Sequence, residues 1–375
     1  MSTIHFLAVS AAVLWSIVLL LPWFSWRNRE VLDVSRPNKD CSLEDITVVI
    51  PARNEADVIA TTLHALKFQG EDLKVVLVND GSLDGTSEVA KNAGYGALTV
   101  VDGAALPAGW SGKLWAQEQG IQRVTTPLTL LLDADIELAP GVIATLLEKK
   151  QNKNVEFISL MASPHLVNFW EKALMPTFIH FFKMLYPFHL ANNRESRMAA
   201  AAGGCILMET GLFKEIGGLS VIRDAIIDDC TLAKTVKSKG YATWTGLSHS
   251  VKSQRPYKNL GEIWDMVART AFTQLYYSIG LLLVCTLVMM LLYIVPLVGL
   301  LEGETQEIRL ISLLALLLMG ISYLPTLLFY RRNLLWVFSL PAVACLYLAM
   351  TWSSAIRYWR GERSRWKGRI YSHRS

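Results

Sequence analysis

Apolar positions fall along the chain in two distinct patterns. Residues 6–24 carry no charge and are about as long as the roughly 20 residues a helix needs to cross the hydrocarbon layer. Similar unbroken runs return at about 275–300, 308–330 and 334–354. Between them, short leucine-rich or β-branched runs at 46–50, 74–78, 97–101 and 128–132 alternate with helical stretches at 55–68, 84–94, 113–123 and 140–150. Strands alternating with helices predict an α/β unit with a mostly parallel sheet, whose ligands sit beyond the carboxyl ends of the strands. The expected division is a membrane anchor over 1–26, a basic linker over 27–44, an α/β domain over 45–260, a membrane region over 261–356 and a basic tail over 357–375.

Charge orients the apolar runs. Arg27, Arg29, Arg36 and Lys39 follow the first run and no Lys or Arg precedes it, so the positive-inside rule places residue 27 onward in the cytoplasm. A cleaved signal peptide fits less well, because the amino end lacks a basic region and no small-residue cleavage site precedes Trp23. Glu302, Glu304 and Glu307 suit an outer loop, and Arg331 with Arg332 suits an inner one. Counting crossings then sends the tail outward, yet Arg357, Arg360, Arg363, Arg365, Lys367 and Arg369 belong inside, against anionic lipid headgroups. One of the carboxyl-terminal segments is therefore expected to be re-entrant or interfacial, with breaks at Pro325 or Pro341.

Composition agrees with a membrane location. Hydrophobic residues make up 52% of the 375 and charged ones 18%, and mean hydropathy is +0.32. A net charge of +4 is too slight and too mixed to make nucleic acid the main partner. Cys41, Cys205, Cys230, Cys285 and Cys345 include no CxxC pair, which excludes a cysteine zinc site of that kind and a dense disulfide framework. The non-membrane part is read as cytosolic and reduced.

The polar residues directly after the strands are the candidates for chemistry. Pro51-Ala52-Arg53-Asn54-Glu55 follows the first strand, Asn79-Asp80-Gly81-Ser82 the second, and Asp133-Ala134-Asp135 the fourth. Each alone is open to a plainer reading as a helix cap or a turn. No GxxxxGK[ST] loop and no GxGxxG follows a strand, so the usual phosphate cradles of P-loop and dinucleotide enzymes are missing. The alternating acids of Asp133 and Asp135 point the same way, as two positions apart on a strand must. Such a pair suits a hard divalent cation. Lys113 opens a helix, where its charge opposes the dipole, and an anion there would resolve the conflict. Asp228-Asp229 precedes a helical run to Lys239 and is either an ordinary first-turn cap or a source of general base. Phe169, Trp170, Phe178, Phe181, Phe182 and Tyr186, with Lys172, His180 and Lys183 among them, form an amphipathic stretch suited to core packing or to the headgroup layer.

In order and spacing these segments resemble the inverting family 2 glycosyltransferases. Val49–Glu55, Val78–Thr86, Asp133–Asp135, Gly203-Gly204, Gly217-Gly218 and Asp228-Asp229 carry the resemblance. The anchor, the Gly109–Lys113 segment and the multi-span carboxyl end look most like the hopanoid-biosynthesis-associated glycosyltransferases of bacteria. The resemblance implies a GT-A fold, a Rossmann-like mixed sheet with helices on both faces, to which one amino-terminal and two to three carboxyl-terminal transmembrane helices are joined. It implies a Mn²⁺ or Mg²⁺ ion held by Asp135 directly, with Asp133 contacting the ribose or reaching the metal through water. Asp80 would accept from the uracil imide of a UDP-sugar, over a floor of Pro51, Arg53 and Glu55. Asp229 would be the base and Asp228 its acceptor-site partner, with His249 a third metal ligand. Gln254-Arg255 matches the family's Q-x-x-R-W motif only in part, leaving Arg255 as a diphosphate contact and arguing against processive polymer synthesis.

The expected activity is transfer of one sugar from a nucleotide-sugar to a lipid hydroxyl with inversion, on a hopanoid, sphingolipid-like or other acceptor. The expected place is the cytoplasmic face of a bacterial inner membrane. Transfer to a polyprenyl phosphate is the nearest alternative, and a polysaccharide synthase is a further one.

Overall fold

The computed structural model describes residues 2–35, 42–70, 72–366 and 369–372, those beyond 362 by backbone alone. Arg36, Lys39, Cys41 and the tail side chains from Arg363 onward therefore lie outside the described residues. The chain forms two compact units, one built on Glu30–His165 with Phe188–Pro256 and the other on residues up to Arg29, Leu166–Pro187 and Tyr257–Ser364.

The first unit holds an eight-stranded sheet. Its strands are β1 (Ile46–Ala52), β2 (Lys74–Asn79), β3 (Leu98–Asp102), β4 (Leu128–Leu132), β5 (Ile136–Leu138), β6 (Phe157–Ser163), β7 (Cys205–Glu209) and β8 (Thr243–Ser253), ordered β3-β2-β1-β4-β7-β6-β8-β5. β1 to β4 are mutually parallel. β7 then runs antiparallel to both β4 and β6, β8 is parallel to β6, and β5 is antiparallel to β8. The sheet is thus mixed, as a GT-A-like fold requires.

Both faces are covered. All seven residues of β1 are buried, with Ile46, Val48 and Ile50 in one core beside Leu63 and Leu146, and Val49 in the other beside Leu114, Leu232 and Val236. Alternation across a strand sends neighbours to opposite cores, and each fully buried aliphatic side chain contributes about 1.5–3 kcal/mol. The Gly112–Ile121 helix sits close on β1, since a Cβ at Gly120 would lie 2.4 Å from Val49 Cγ1. β1 and β4 are adjacent while β2 and β3 extend to the far side of β1. The order of strands reverses there, and a crevice opens beyond their carboxyl ends.

The second unit is helical. Four of its segments, Thr3–Leu20, Ile279–Glu302, Gln306–Phe329 and Leu334–Trp359, are long and apolar enough to cross a membrane. Their outward faces are apolar, with Leu283, Val284, Leu287, Leu310 and Leu317 exposed, as lipid-facing helices require. Neither expected proline breaks its helix. Pro325 lies inside Gln306–Phe329 with its carbonyl accepting from Asn28 Nδ2 at 2.8 Å, and Pro341 occupies the first turn of Leu340–Trp359, where its missing N–H costs nothing. The irregularity falls instead at a π turn over Met290–Ile294, directly before Pro296, whose ring cannot fit under a regular preceding turn.

The last apolar segment turns back on itself. Ile279–Glu302 and Gln306–Phe329 form an antiparallel hairpin, closed where a Cβ at Gly299 would meet Ser312. After Arg331, at φ 51°, the chain returns along the hairpin, so that Val337 lies beside Gly320, about 14 Å short of Phe329 at 1.5 Å per residue. Leu340–Trp359 then runs back beside the start of the hairpin. Trp352 Nε1 donates to Thr286 Oγ1 at 3.0 Å, Ala355 packs with Leu282, and Tyr358 and Trp359 meet Phe272. The Leu340–Trp359 helix thus ends beside the residues that lead into Ile279.

The aromatic stretch forms the Phe169–Leu185 helix, opened by an Asn168–Glu171 capping box. Glu171, Thr177, His180 and Lys183 are all buried, so core packing accounts for its faces, with Phe169 and Leu185 exposed at its two ends.

Candidate active site

At the crevice, two loops are stitched to each other before any ligand arrives. Asp80 follows β2 and is 4% exposed. Its N–H donates to Ala52 O at 2.8 Å, and its carbonyl and carboxylate both face the Arg53 guanidinium. Asn54, in the left-handed region at φ 52°, accepts from Leu83 N–H at 2.9 Å and donates its own N–H to Ser82 Oγ at 3.0 Å. Glu55 N–H donates to Thr86 Oγ1 at 2.9 Å. Pro51 lies within β1, paired with Val78. Arg53, Glu55 and Asp80 thus form one rim, as the sequence expectation grouped them.

The end of β4 carries the second set. Lys113 Nζ lies 2.8 Å from Asp133 Oδ1 and 3.8 Å from Asp228 Oδ2. Asp229 Oδ2 accepts from Gly203 N–H at 2.8 Å and Oδ1 from Cys230 N–H at 2.7 Å. A Cβ at Gly203 would stand 3.0 Å from Lys113 Nζ and 3.4 Å from Asp229 Oδ2, so glycine is what lets the lysine, the backbone and the acid approach. Ser111 caps the Gly112–Ile121 helix through Leu114 N–H, and its own N–H bonds Arg223 O at 2.8 Å. Lys113 is therefore fixed to the segment that leads into Asp228. Burial and then the neighbouring charge of Asp228 push the Asp229 carboxyl up to about 6, against the opposing pull of Lys113 and two N–H donors. Burial also raises Asp133, with Lys113 opposing and Asp135 adding to the rise.

Arg255 ties the two sets together. Its Nε donates to Asp135 Oδ2 at 2.8 Å and its Nη2 to Glu55 Oε1 at 2.8 Å, and Asp135 is 7% exposed. β8 positions it, because Gln254 N–H bonds Asp135 O at 2.7 Å. Sequence spacing offered no sign of this link, since Glu55 and Arg255 stand 200 residues apart. The role of Gly203 as a donor to Asp229 was equally hidden, although Gly203-Gly204 stood out as a motif.

Asp133 and Asp135 feel each other's charge and are paired with Lys113 and Arg255, and a pair of carboxylates is a donor set that fits the way a magnesium-type cation is held. Among the described residues no three His, Cys, Asp or Glu side chains gather at one point. His249, expected as a further ligand, bonds Asp33 through Nδ1 at 2.8 Å. Asp33 also accepts from Ser248 Oγ and from the N–H groups of His249 and Ser250, which pins residues 30–34 along β8, where Leu32 N–H bonds Leu247 O.

Residues 47–217 match the family model described as Glycosyl transferase family 2. A mannosyltransferase from Pyrobaculum calidifontis, solved with GDP-Man and Mn²⁺, superposes over 94% of this chain and 99% of its own at a TM-score of 0.55 and 16% identity, which extends the likeness in fold to the helical unit. In sequence, the chain is 36% identical over 109 residues to the 4,4'-diaponeurosporenoate glycosyltransferase of Staphylococcus aureus strain bovine RF122 / ET3-1. It is also 36% identical over 107 residues to that of strain USA300. The matches cover 29% and 28% of this chain and 28% of each relative's length.

Proposed function

We propose that the chain is a membrane-associated family 2 glycosyltransferase that moves one sugar from a nucleotide-sugar to a lipid hydroxyl with inversion. The observation that carries it is the meeting of Lys113, Asp133, Asp228 and Asp229 at the strand-order reversal. In this reading Arg53, Glu55 and Asp80 hold the nucleoside, and Lys113 and Arg255 face the diphosphate. A divalent cation on Asp133 and Asp135, such as Mn²⁺ or Mg²⁺, supplies neutralisation of the leaving charge when bound. His249 pairs with Asp33 and does not gather with Asp133 and Asp135, so the proposal does not use it.

Asp229 takes the acceptor's hydroxyl proton while the acceptor oxygen bonds the anomeric carbon. The bond from that carbon to the diphosphate oxygen breaks on the opposite face, and the electron pair leaves with the nucleoside diphosphate. A carboxyl pushed up to about 6 is ionised at neutral pH yet basic enough to receive a proton. Lipid acceptors are supported by the apolar helices and by relatives named for 4,4'-diaponeurosporenoate. A hopanoid or another apolar lipid fits the same reading, with the site on the cytoplasmic face of a bacterial inner membrane.

The test is transfer from labelled UDP-glucose and GDP-mannose into extracted bacterial lipid. Excess chelator is expected to abolish transfer and Mn²⁺ or Mg²⁺ to restore it. Undiminished transfer in excess chelator would remove the metal from the proposal.

A further inference from the structure

The helical unit contains a groove of about 570 Å³ that the chemistry above does not use. Leu348 and Trp352 of the Leu340–Trp359 helix and Trp264 of the Leu260–Ala268 helix form its apolar wall, Cys345 lies at one end, and Arg357 and Arg360 lie at the other. From 345 to 360 is about 22 Å along a helix, longer than the roughly 15 Å of one leaflet's hydrocarbon. The two ends of the groove differ in a consistent direction. Its cationic end is the carboxyl end of the Leu340–Trp359 helix, beside Phe272, just before the apolar run from Ile279 begins. Its apolar end points along that run.

Arg357 Nη2 is fixed by Asp265 Oδ1 at 2.6 Å, while among the described residues Arg360 makes no ion pair and is exposed. One carboxylate against two guanidinium groups leaves a net positive mouth above an apolar floor. We propose that this groove binds one anionic phospholipid of the surrounding leaflet, phosphate on Arg357 and Arg360 and acyl chain along Trp264, Leu348 and Trp352. Guanidinium groups match phosphate oxygens in geometry, and basic pockets between membrane helices are suited to anionic headgroups. The proposal is independent of glycosyl transfer.

The exposed thiol of Cys345 reports occupancy. The full chain in neutral detergent is treated with N-ethylmaleimide, and modification at Cys345 is followed by peptide mapping during titration with dioleoylphosphatidylglycerol. Phosphatidylglycerol is expected to slow labelling at least about fivefold, and the same amount of phosphatidylcholine or of an uncharged isoprenoid alcohol to slow it less than about twofold. Arg360→Gln should raise the lipid concentration needed about tenfold, matching roughly 1.4 kcal/mol, without changing lipid-free thermal unfolding. Ala349→Trp, which fills the groove, should abolish the lipid effect. Equal protection by all three lipids, no protection by phosphatidylglycerol, or an unchanged titration in Arg360→Gln would overturn the proposal.

Discussion

 In the helical unit the Glu171 carboxylate, 0% exposed, accepts the backbone N–H groups of Val167, Asn168 and Tyr257. The Lys183 ammonium, 2% exposed, likewise donates to the carbonyls of Trp26 and Arg27 and to Asn28 Oδ1. In the sheet unit Lys113 and Arg255 instead each face two carboxylates, and their side chains are 20% and 36% exposed. Backbone partners cannot be exchanged without opening the fold. Side-chain pairs at a crevice can be redistributed when a diphosphate and a cation enter, so the first kind of charge maintains structure and the second is available for chemistry.

The largest effect expected from this contrast is at Asp229. Asp229→Asn should lower turnover about 100- to 10,000-fold, the contribution of a positioned base, while calorimetric donor affinity stays within about threefold. A loss below about tenfold would point to an acceptor that is already anionic, such as a polyprenyl phosphate. Because the Asp229 carboxyl is raised to about 6, its basic form is lost as pH falls through that value. The rate with wild-type enzyme should therefore drop about tenfold per unit below pH 6, and a flat profile down to pH 5 would remove Asp229 as the base.

Asp135→Ala should cost at least about 100-fold in turnover, the scale of losing a main stabiliser of transition-state charge, with little change in thermal unfolding. Glu171→Gln should do the reverse. Leaving backbone donors short of a buried anion costs about 3 kcal/mol, read by denaturant unfolding, while transfer per folded molecule is retained. A Glu171→Gln protein that is stable but inactive would break the division between the two kinds of charge. The smallest effect is at Gly120, where Ala must displace Val49 and should cost about 1–3 kcal/mol by overpacking.

The parallel half of the sheet was legible because β1, β2 and β4 are largely buried on both faces and read as continuous apolar runs ending in polar loops, with β3 a half-buried edge strand beside them. The antiparallel half was not. β8 is interrupted by polar residues whose burial depends on distant partners, as with Thr245, which is 1% exposed and bonds Ala200 O. Single acids at strand ends could be listed from sequence, but the Glu55–Arg255–Asp135 link depends on β8 returning beside β5, which no local pattern encodes. The apolar segments were visible by length. The packing of Val337 on Gly320, which sets the course of the last one, has no counterpart in any local pattern.

A single displacement with Asp229 as base fixes the configuration of the product. Transfer from UDP-glucose or GDP-mannose, whose sugars are α-linked to the diphosphate, is followed by proton NMR of the anomeric signal before the product can equilibrate. A β-linked glycolipid as the first product is the predicted result. An α-linked first product would contradict the single displacement and the role given to Asp229.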